Sequence, residues 1–378
     1  MNAPILTASH QWATRPTDER FTSLYEMRAK MDFERDKSRE VVVSNRRFSL
    51  APGIANADGT LAAPMASDHR ALAVVSDKGH AYAPTHWAFG QLAALAGAPA
   101  GYLRTLPADI ACDAINYGLK FARDVEDVGL LLYRNGDSTL RAATGPRYGR
   151  IWNSDILATL TDRYGDGTTG EWRVPGEFGQ RVEVTKDNTT LYAGDRDMFI
   201  FLANEDHRIE IPNRRDGKPG TLARGFFVWN SEVGSKSFGI ATFLYDYVCC
   251  NRMIWGAEGF KEVTMRHSAG APDRWLEEMQ PALRDYANAS TESITDLIAN
   301  ARNKRLSGDE LDSFLANRFG KGKVAAIKAV HELEENGRPI ETLWDVTTAV
   351  SAMAKGVHWQ DDRVAMERDA GKVLVLAR

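Results

Sequence analysis

The sequence predicts an α+β fold: a mostly antiparallel twisted sheet with packed helices, followed by an all-helical C-terminal region. Three observations lead there. Extended runs rich in β-branched and aromatic residues crowd the middle of the chain, between Val128 and Phe243. Apolar residues at helical spacing, with capping residues at their ends, lie on either side of them. After His267 the extended runs stop and only helical patterns continue.

The chain divides accordingly into a largely irregular N-terminal arm (1–66), an α+β core (67–270) and a helical region (271–378). The arm is polar and ends in the Gly/Ala/Pro-rich stretch Ala51–Pro64, and its one β-branched run, Val41–Val43, suggests a strand within Arg39–Leu50. Leu72–Ser76 reads as a strand, Asp77-Lys78-Gly79 as a turn, and Tyr82 resumes extended chain. Thr85 caps a helix whose Phe89, Leu92, Ala93 and Ala96 share a face and which Gly97 ends. A second helix runs from Ala108 to Phe121. Val128–Arg134 and Thr139–Ala143 flank the hairpin turn Asn135-Gly136-Asp137. Asn153 or Ser154 caps a helix with Ile156, Leu157, Leu160 and Tyr164 on one face. Strands follow at Arg181–Thr185, Met198–Ala203, Arg224–Trp229 and Phe238–Phe243, with Pro212–Gly220 as a basic loop. Helices then cover Trp275–Arg302, a segment opened by the capping box Ser307-Gly308-Asp309-Glu310, Val324–Glu335, Thr342–Ala354 and Asp362–Leu376.

Net charge is −4, from 47 basic and 51 acidic side chains, so any contact with nucleic acid must come from a local groove and not from bulk charge. No apolar run is long enough to span a bilayer, and Met1–Arg20 lacks a signal-peptide core; with only Cys112, Cys249 and Cys250, the cytoplasm is the expected location. The vicinal pair Cys249-Cys250 reads as packing, because adjacent cysteines close a disulfide only with a distorted peptide.

Enzyme templates fail in turn. There is no phosphate loop, no GxGxxG and no GxSxG, and the eight histidines form no HxH, HExxH or HxxxH pair. No catalytic residue, metal or cofactor is therefore assigned. Glu232, Asp246 and Asp206 would make a magnesium site only if the fold gathered them.

Nucleic-acid chemistry needs cations for phosphates and flat groups for bases. Arg141, Arg147 and Arg150 stand with Tyr148 and Trp152 between a strand and a helix. Arg208, Arg214, Arg215, Lys218 and Arg224 form a second basic stretch, and Lys236 opens a later strand. Arg302-Asn303-Lys304-Arg305, with Lys321 and Lys323, is a third. Charge runs of this kind also occur as plain solvated faces. Between two strands, Asn230-Ser231-Glu232-Val233-Gly234 has the composition of a hairpin corner; its alternative role is a loop that offers polar groups to a ligand.

Leu140-Arg141 with Pro146-Arg147-Tyr148, Trp229–Gly234 with Val248–Met253, Arg266-His267, and Thr342-Leu343-Trp344-Asp345 with Thr347 together resemble the phage/plasmid-like proteins catalogued as domain of unknown function 932. The resemblance runs from about His69 to Leu374, with departures at Arg252, where glycine is common, and Ala349. It implies an origin on a mobile element, and a fold similar to ring-forming single-strand annealing proteins. The expected function is binding or annealing of single-stranded DNA in recombination or replication, by a homo-oligomer, through Arg141, Arg147, Tyr148, Arg150 and Trp152, with Arg214, Arg215, Arg224 and Lys236 in support. The alternatives are a non-catalytic protein that binds a host or phage protein, and a metal-dependent nuclease.

Overall fold

A computed structural model describes residues 15–64, 69–175, 183–211, 220–246, 251–254, 262–288, 291–357 and 360–378. The chain folds as α+β, with two main sheets and a helical C-terminal region.

The segment expected to be an irregular arm is, over residues 15–64, structured and built into both sheets. Strand β1 (Arg20–Phe21) pairs with the larger sheet, and helix α1 (Leu24–Asp36) follows. Ser23 Oγ accepts the Glu26 N–H, and the Glu26 carboxylate in turn accepts the Thr22 N–H at 2.7 Å. Leu24, Met27 and Met31, spaced at helical period, bury one face against the core. Strands β2 (Ser38–Ser44) and β3 (Phe48–Pro52) then join the smaller sheet, and β4 (Ile54–Ala55) and β5 (Leu61–Ala62) form a short hairpin. The composition of this segment is polar in part because α1 buries only the face of Leu24, Met27 and Met31.

The smaller sheet adds β6 (Leu72–Ser76), β7 (Ala81–Pro84), β8 (Asp127–Arg134) and β9 (Ser138–Thr144) in the order β2-β8-β9-β7-β6-β3, antiparallel except for the β7–β9 pair. Helices α2 (His86–Ala96), α3 (Ala100–Leu103) and α4 (Ala108–Tyr117) lie between β7 and β8, and α2 and α4 cover one face of this sheet. Thr85 caps α2 and Gly97 ends it in the left-handed region, as its sequence predicts. Helix α4 stops at Tyr117 instead of Phe121, where the chain widens into a π turn (Gly118–Ala122). A Cβ at Gly118 would stand 2.3 Å from the Ala96 carbonyl oxygen, so α2 and this turn meet only because the residue is glycine. At the free edge of β3, the Asn116 amide donates to Leu50 O and accepts from Leu50 N, each at 2.8 Å.

The larger sheet is β1-β11-β12-β13-β14-β15, with β10 beside β12 and β16 beside β14. Its strands are β10 (Trp172–Arg173), β11 (Leu191–Ala193), β12 (Met198–Ile211), β13 (Gly220–Asn230), β14 (Phe238–Asp246), β15 (Asn251–Ile254) and β16 (Val263–Met265). Of the strand expected at Arg181–Thr185, residues 183–185 are not extended in a sheet and the rest lies outside the described residues. Alternation gives β12–β14 two apolar faces. Ile200, Leu202, Phe226 and Ile240 face α1 and α5 (Asn153–Tyr164). On the other face, Phe201, Phe227 and Trp229 form an aromatic ladder, with Phe201 and Phe227 stacked at 4.9 Å. Gly239 lies directly across from Trp229, and the indole occupies the space a side chain there would need.

The C-terminal helices are α6 (Ala271–Asn288), α7 (Glu292–Asn303), α8 (Gly308–Phe319), α9 (Val324–Glu334), α10 (Leu343–Ala354) and α11 (Gln360–Val375). What reads as one helix over Trp275–Arg302 is the pair α6 and α7. Helix α10 is buried on nearly every side, packed on α7, α9, α11 and β15, and opens with a true capping box between Thr342 and Asp345. The Ser307 box predicted for α8 does not form its side-chain bond. No helix among the described residues is long and apolar enough to cross a membrane.

Candidate nucleic-acid interface

The segment Asn230–Gly234 is the turn from β13 to β14, but it is a buried joint and not an exposed corner. Asn230, Ser231, Glu232 and Val233 are all buried, and each bonds to residues distant in the chain. Asn230 Nδ2 donates to Ile151 O and Asn153 Oδ1, both at 2.8 Å. Ser231 Oγ donates to Arg196 O, and Ser231 O accepts from the Tyr148 hydroxyl at 2.8 Å. Val233 O accepts from Trp87 Nε1 and Gln91 Nε2 of α2. Gly234 supplies the positive φ, 83°, that lets the chain leave again.

Glu232 occupies the centre. One carboxylate oxygen accepts the Asn153 N–H at 2.9 Å, capping α5 from a distant loop; the sequence had placed that cap on Asn153 or Ser154. The other lies 3.1 Å from Arg141 Nη2. Arg141 reaches it because of a β-bulge: Leu131 pairs with Ala142 but Leu132 pairs with Leu140, so Arg141 is the extra residue and its side chain leaves the helix-covered face. Glu34 of α1 stands 4.0 Å from the same guanidinium, and burial raises its carboxyl above the usual range. The joint therefore ties α1, α2, α5 and strands from both sheets together.

This geometry reassigns most of the residues chosen from sequence. Arg141 is committed to Glu232. Arg150 is buried, donates to Glu40 Oε1 at 2.7 Å and lies over the Tyr148 and Trp152 rings. Tyr148 stacks on His267, with ring centroids 4.9 Å apart, while Gly149 and His267 bond reciprocally, N to O and O to Nδ1, at 3.1 Å each. The Arg35 and Arg150 guanidiniums both lie over Trp152, at 5.2 and 5.7 Å from its ring centroid. Arg224 is buried in β13 over the Tyr286 ring, and Lys236 lies 3.6 Å from an Asp197 oxygen and over Phe199. Packing and ion pairing engage these side chains within the protein, where Arg141 and Arg150 are buried. Arg147 is exposed. Arg214, Arg215, Lys218, Cys249 and Cys250 lie outside the described residues. In the third stretch, Arg305 pairs with Glu341; Arg302, Arg305 and Arg338 line a cavity of about 520 Å³ in which Glu335, Glu341 and Asp345 match their charge. Among the described residues, no three of His, Cys, Asp or Glu converge as a metal site.

A basic cleft lies elsewhere, on the smaller sheet. The face that α2 and α4 cover continues past them into a cavity of about 490 Å³. Strand alternation builds it: Arg39, Val41 and Val43 from β2, Leu130, Leu132 and Arg134 from β8, Val74 and Ser76 from β6, with Tyr82 and Phe48 beside them. The floor is aliphatic and aromatic. The rim carries five cationic side chains, Lys37, Arg39, Arg47, Lys78 and Arg134, against the single carboxylate of Asp77, which pairs with Arg47 at 2.6 Å. Arg134 lies over the Tyr82 ring at 5.1 Å and donates to its hydroxyl at 2.6 Å. The sequence signal for these residues is the pair of alternating strings Arg39-x-Val41-x-Val43 and Leu130-x-Leu132-x-Arg134, each with a cation at the end away from the helices.

A model of the family described as Domain of unknown function (DUF932) matches residues 180–369, and the chain belongs to that family. The match includes the Asn230–Gly234 joint, Arg266-His267 and the α10 capping box, whereas Leu140–Tyr148 lies outside it. No curated protein and no solved structure matches the chain.

Two consequences can be measured. Glu232→Ala leaves Arg141 buried without its partner and α5 without its cap, and should cost about 3–5 kcal/mol in urea unfolding; Glu232→Gln, which keeps an acceptor for Asn153, should cost less. His267 is held neutral by burial, with Arg150 adding to the effect, and its pKa falls to about 4 from an ordinary 6.5. The unfolded chain thus takes up this proton first, and stability should fall as pH drops from 6.5 towards 4. His267→Asn should flatten that part of the profile in melts across this range.

Proposed function

We propose that the protein binds nucleic acid, with single-stranded DNA as the favoured ligand, through the cleft on the smaller sheet. One observation carries this reading: a chain of net charge −4 gathers five cations and one paired carboxylate around an apolar, sheet-floored cavity. Lys37, Arg39 and Lys78 make no ion pair with any described residue, so their charge is available to phosphates. The apolar floor gives the flat faces of bases a surface from which to exclude water.

A second reading, contact with a protein partner or with another copy of this chain, is favoured by the exposed apolar side chains Ile110, Tyr117, Phe121 and Val125 on α4 and the turn beyond it. The Tyr117 and Phe121 rings lie 5.6 Å apart and expose most of their area.

Fluorescence anisotropy with a labelled single-stranded oligonucleotide at low and physiological salt tests the first reading. Affinity should fall steeply with salt, with a log–log slope near −2 for about three phosphate contacts. The variant combining Lys37→Gln, Arg39→Gln and Lys78→Gln should weaken binding at least about tenfold and flatten the slope. A silent titration at low salt, or a loss on Arg147→Gln with the triple variant unaffected, would sink the cleft as the binding surface.

A further inference from the structure

We infer that the cleft is a receptor for one unpaired nucleotide, its base lying on the apolar floor and its phosphate held at the rim. The inference rests on the proposed nucleic-acid reading and adds to it the unit that is recognised.

Size is the first argument. A cavity of about 490 Å³ is in the range of small-ligand sites and suits a single nucleotide, whereas a stretch of duplex exceeds that volume. The second argument is the division of chemistry within the cavity. Val41, Leu130 and Leu132 share one face of paired strands, in the register Val41↔Leu130 and Arg39↔Leu132, and so form a continuous apolar bed. On these two strands the cations gather at one end of that bed, Arg39 across from Leu132 and Lys37 beside Arg134, which separates the place for a flat apolar ring from the place for an anion. The third argument is Arg134. Its guanidinium lies over Tyr82 at 5.1 Å and the residue is exposed on the cleft wall, which sets a planar cation beside an aromatic ring at the edge of the cavity. His80 and Ser76 at the same wall offer hydrogen-bonding groups to a base edge.

Selection for an unpaired base follows directly. A base within a duplex cannot leave its stack to reach the floor without an unpairing cost of a few kcal/mol. A strand end, a gap or a free nucleotide meets no such cost. The two sources share one chemistry, and competition separates them.

The test uses the full chain and the labelled oligonucleotide, with adenosine 5′-monophosphate, ribose 5-phosphate and inorganic phosphate as competitors. Adenosine 5′-monophosphate should displace the oligonucleotide at concentrations about tenfold below those needed for ribose 5-phosphate, the difference that stacking one base supplies. Leu132→Gln, on the floor, should erase that difference while leaving phosphate competition as it was. Lys78→Gln, on the rim, should weaken all three competitors. Melting curves establish that both variants are folded. Equal potency of the nucleotide and ribose 5-phosphate, or no competition by either against a cleft-dependent oligonucleotide complex, overturns the single-nucleotide site and leaves nucleic-acid binding standing. Absence of any oligonucleotide complex, with no direct binding of the nucleotide, overturns both.

Discussion

Between the two sheets lies a carboxylate, Glu232, that accepts a backbone N–H from the start of α5 and faces the guanidinium of a bulged arginine in β9. Both side chains are almost wholly out of water, so neither tolerates the loss of the other. Around this pair the neighbouring residues of the same turn bind α2 through Val233, the 145–153 segment through Asn230 and Ser231, and the 194–197 turn through Ser231. The two sheets are thereby fixed to one another by directional polar contacts, and not by apolar packing alone. Such contacts set one arrangement more sharply than they add stability.

The joint also decides which arginines remain for function. Arg141 and Arg150, with Tyr148 and Trp152, have the composition of a phosphate-and-base site, and each is engaged inside the protein. What holds the smaller sheet in place on one face leaves part of its opposite face open. There the strands that continue beyond α2 and α4 carry an apolar floor and an unbalanced set of cations. Structure and proposed function thus divide the same sheet between its two faces.

Much of the fold was legible in the residues. Leu72–Ser76, the Thr85-to-Gly97 helix and the hairpin at Gly136 follow from alternation, capping and turn chemistry that act locally. Local rules failed where distant groups took over. The cap of α5 comes from Glu232, some eighty residues on, so the choice between Asn153 and Ser154 had no right answer. The bulge at Arg141 cannot be seen without its partner strand. The N-terminal segment read as an arm because α1 and β2 are each apolar on one face only, and their polar faces dominate the composition. The basic cleft was missed for a related reason: its cations come from four separated stretches, whereas attention goes to contiguous charge such as Arg302–Arg305. The string Asn230–Gly234 is the strand corner its turn chemistry predicts, and its burial and long-range bonds are what the sequence does not show.

Hydrogen–deuterium exchange of the full chain, with and without a single-stranded oligonucleotide, compares the two faces in one measurement. Ligand should slow exchange across 37–48, 74–82 and 130–134, and should leave 141–152 and 230–236 at the rates they have in the free protein. Slowing confined to 141–152 or 230–236, with the cleft strands unchanged, would contradict the account and return binding to the joint.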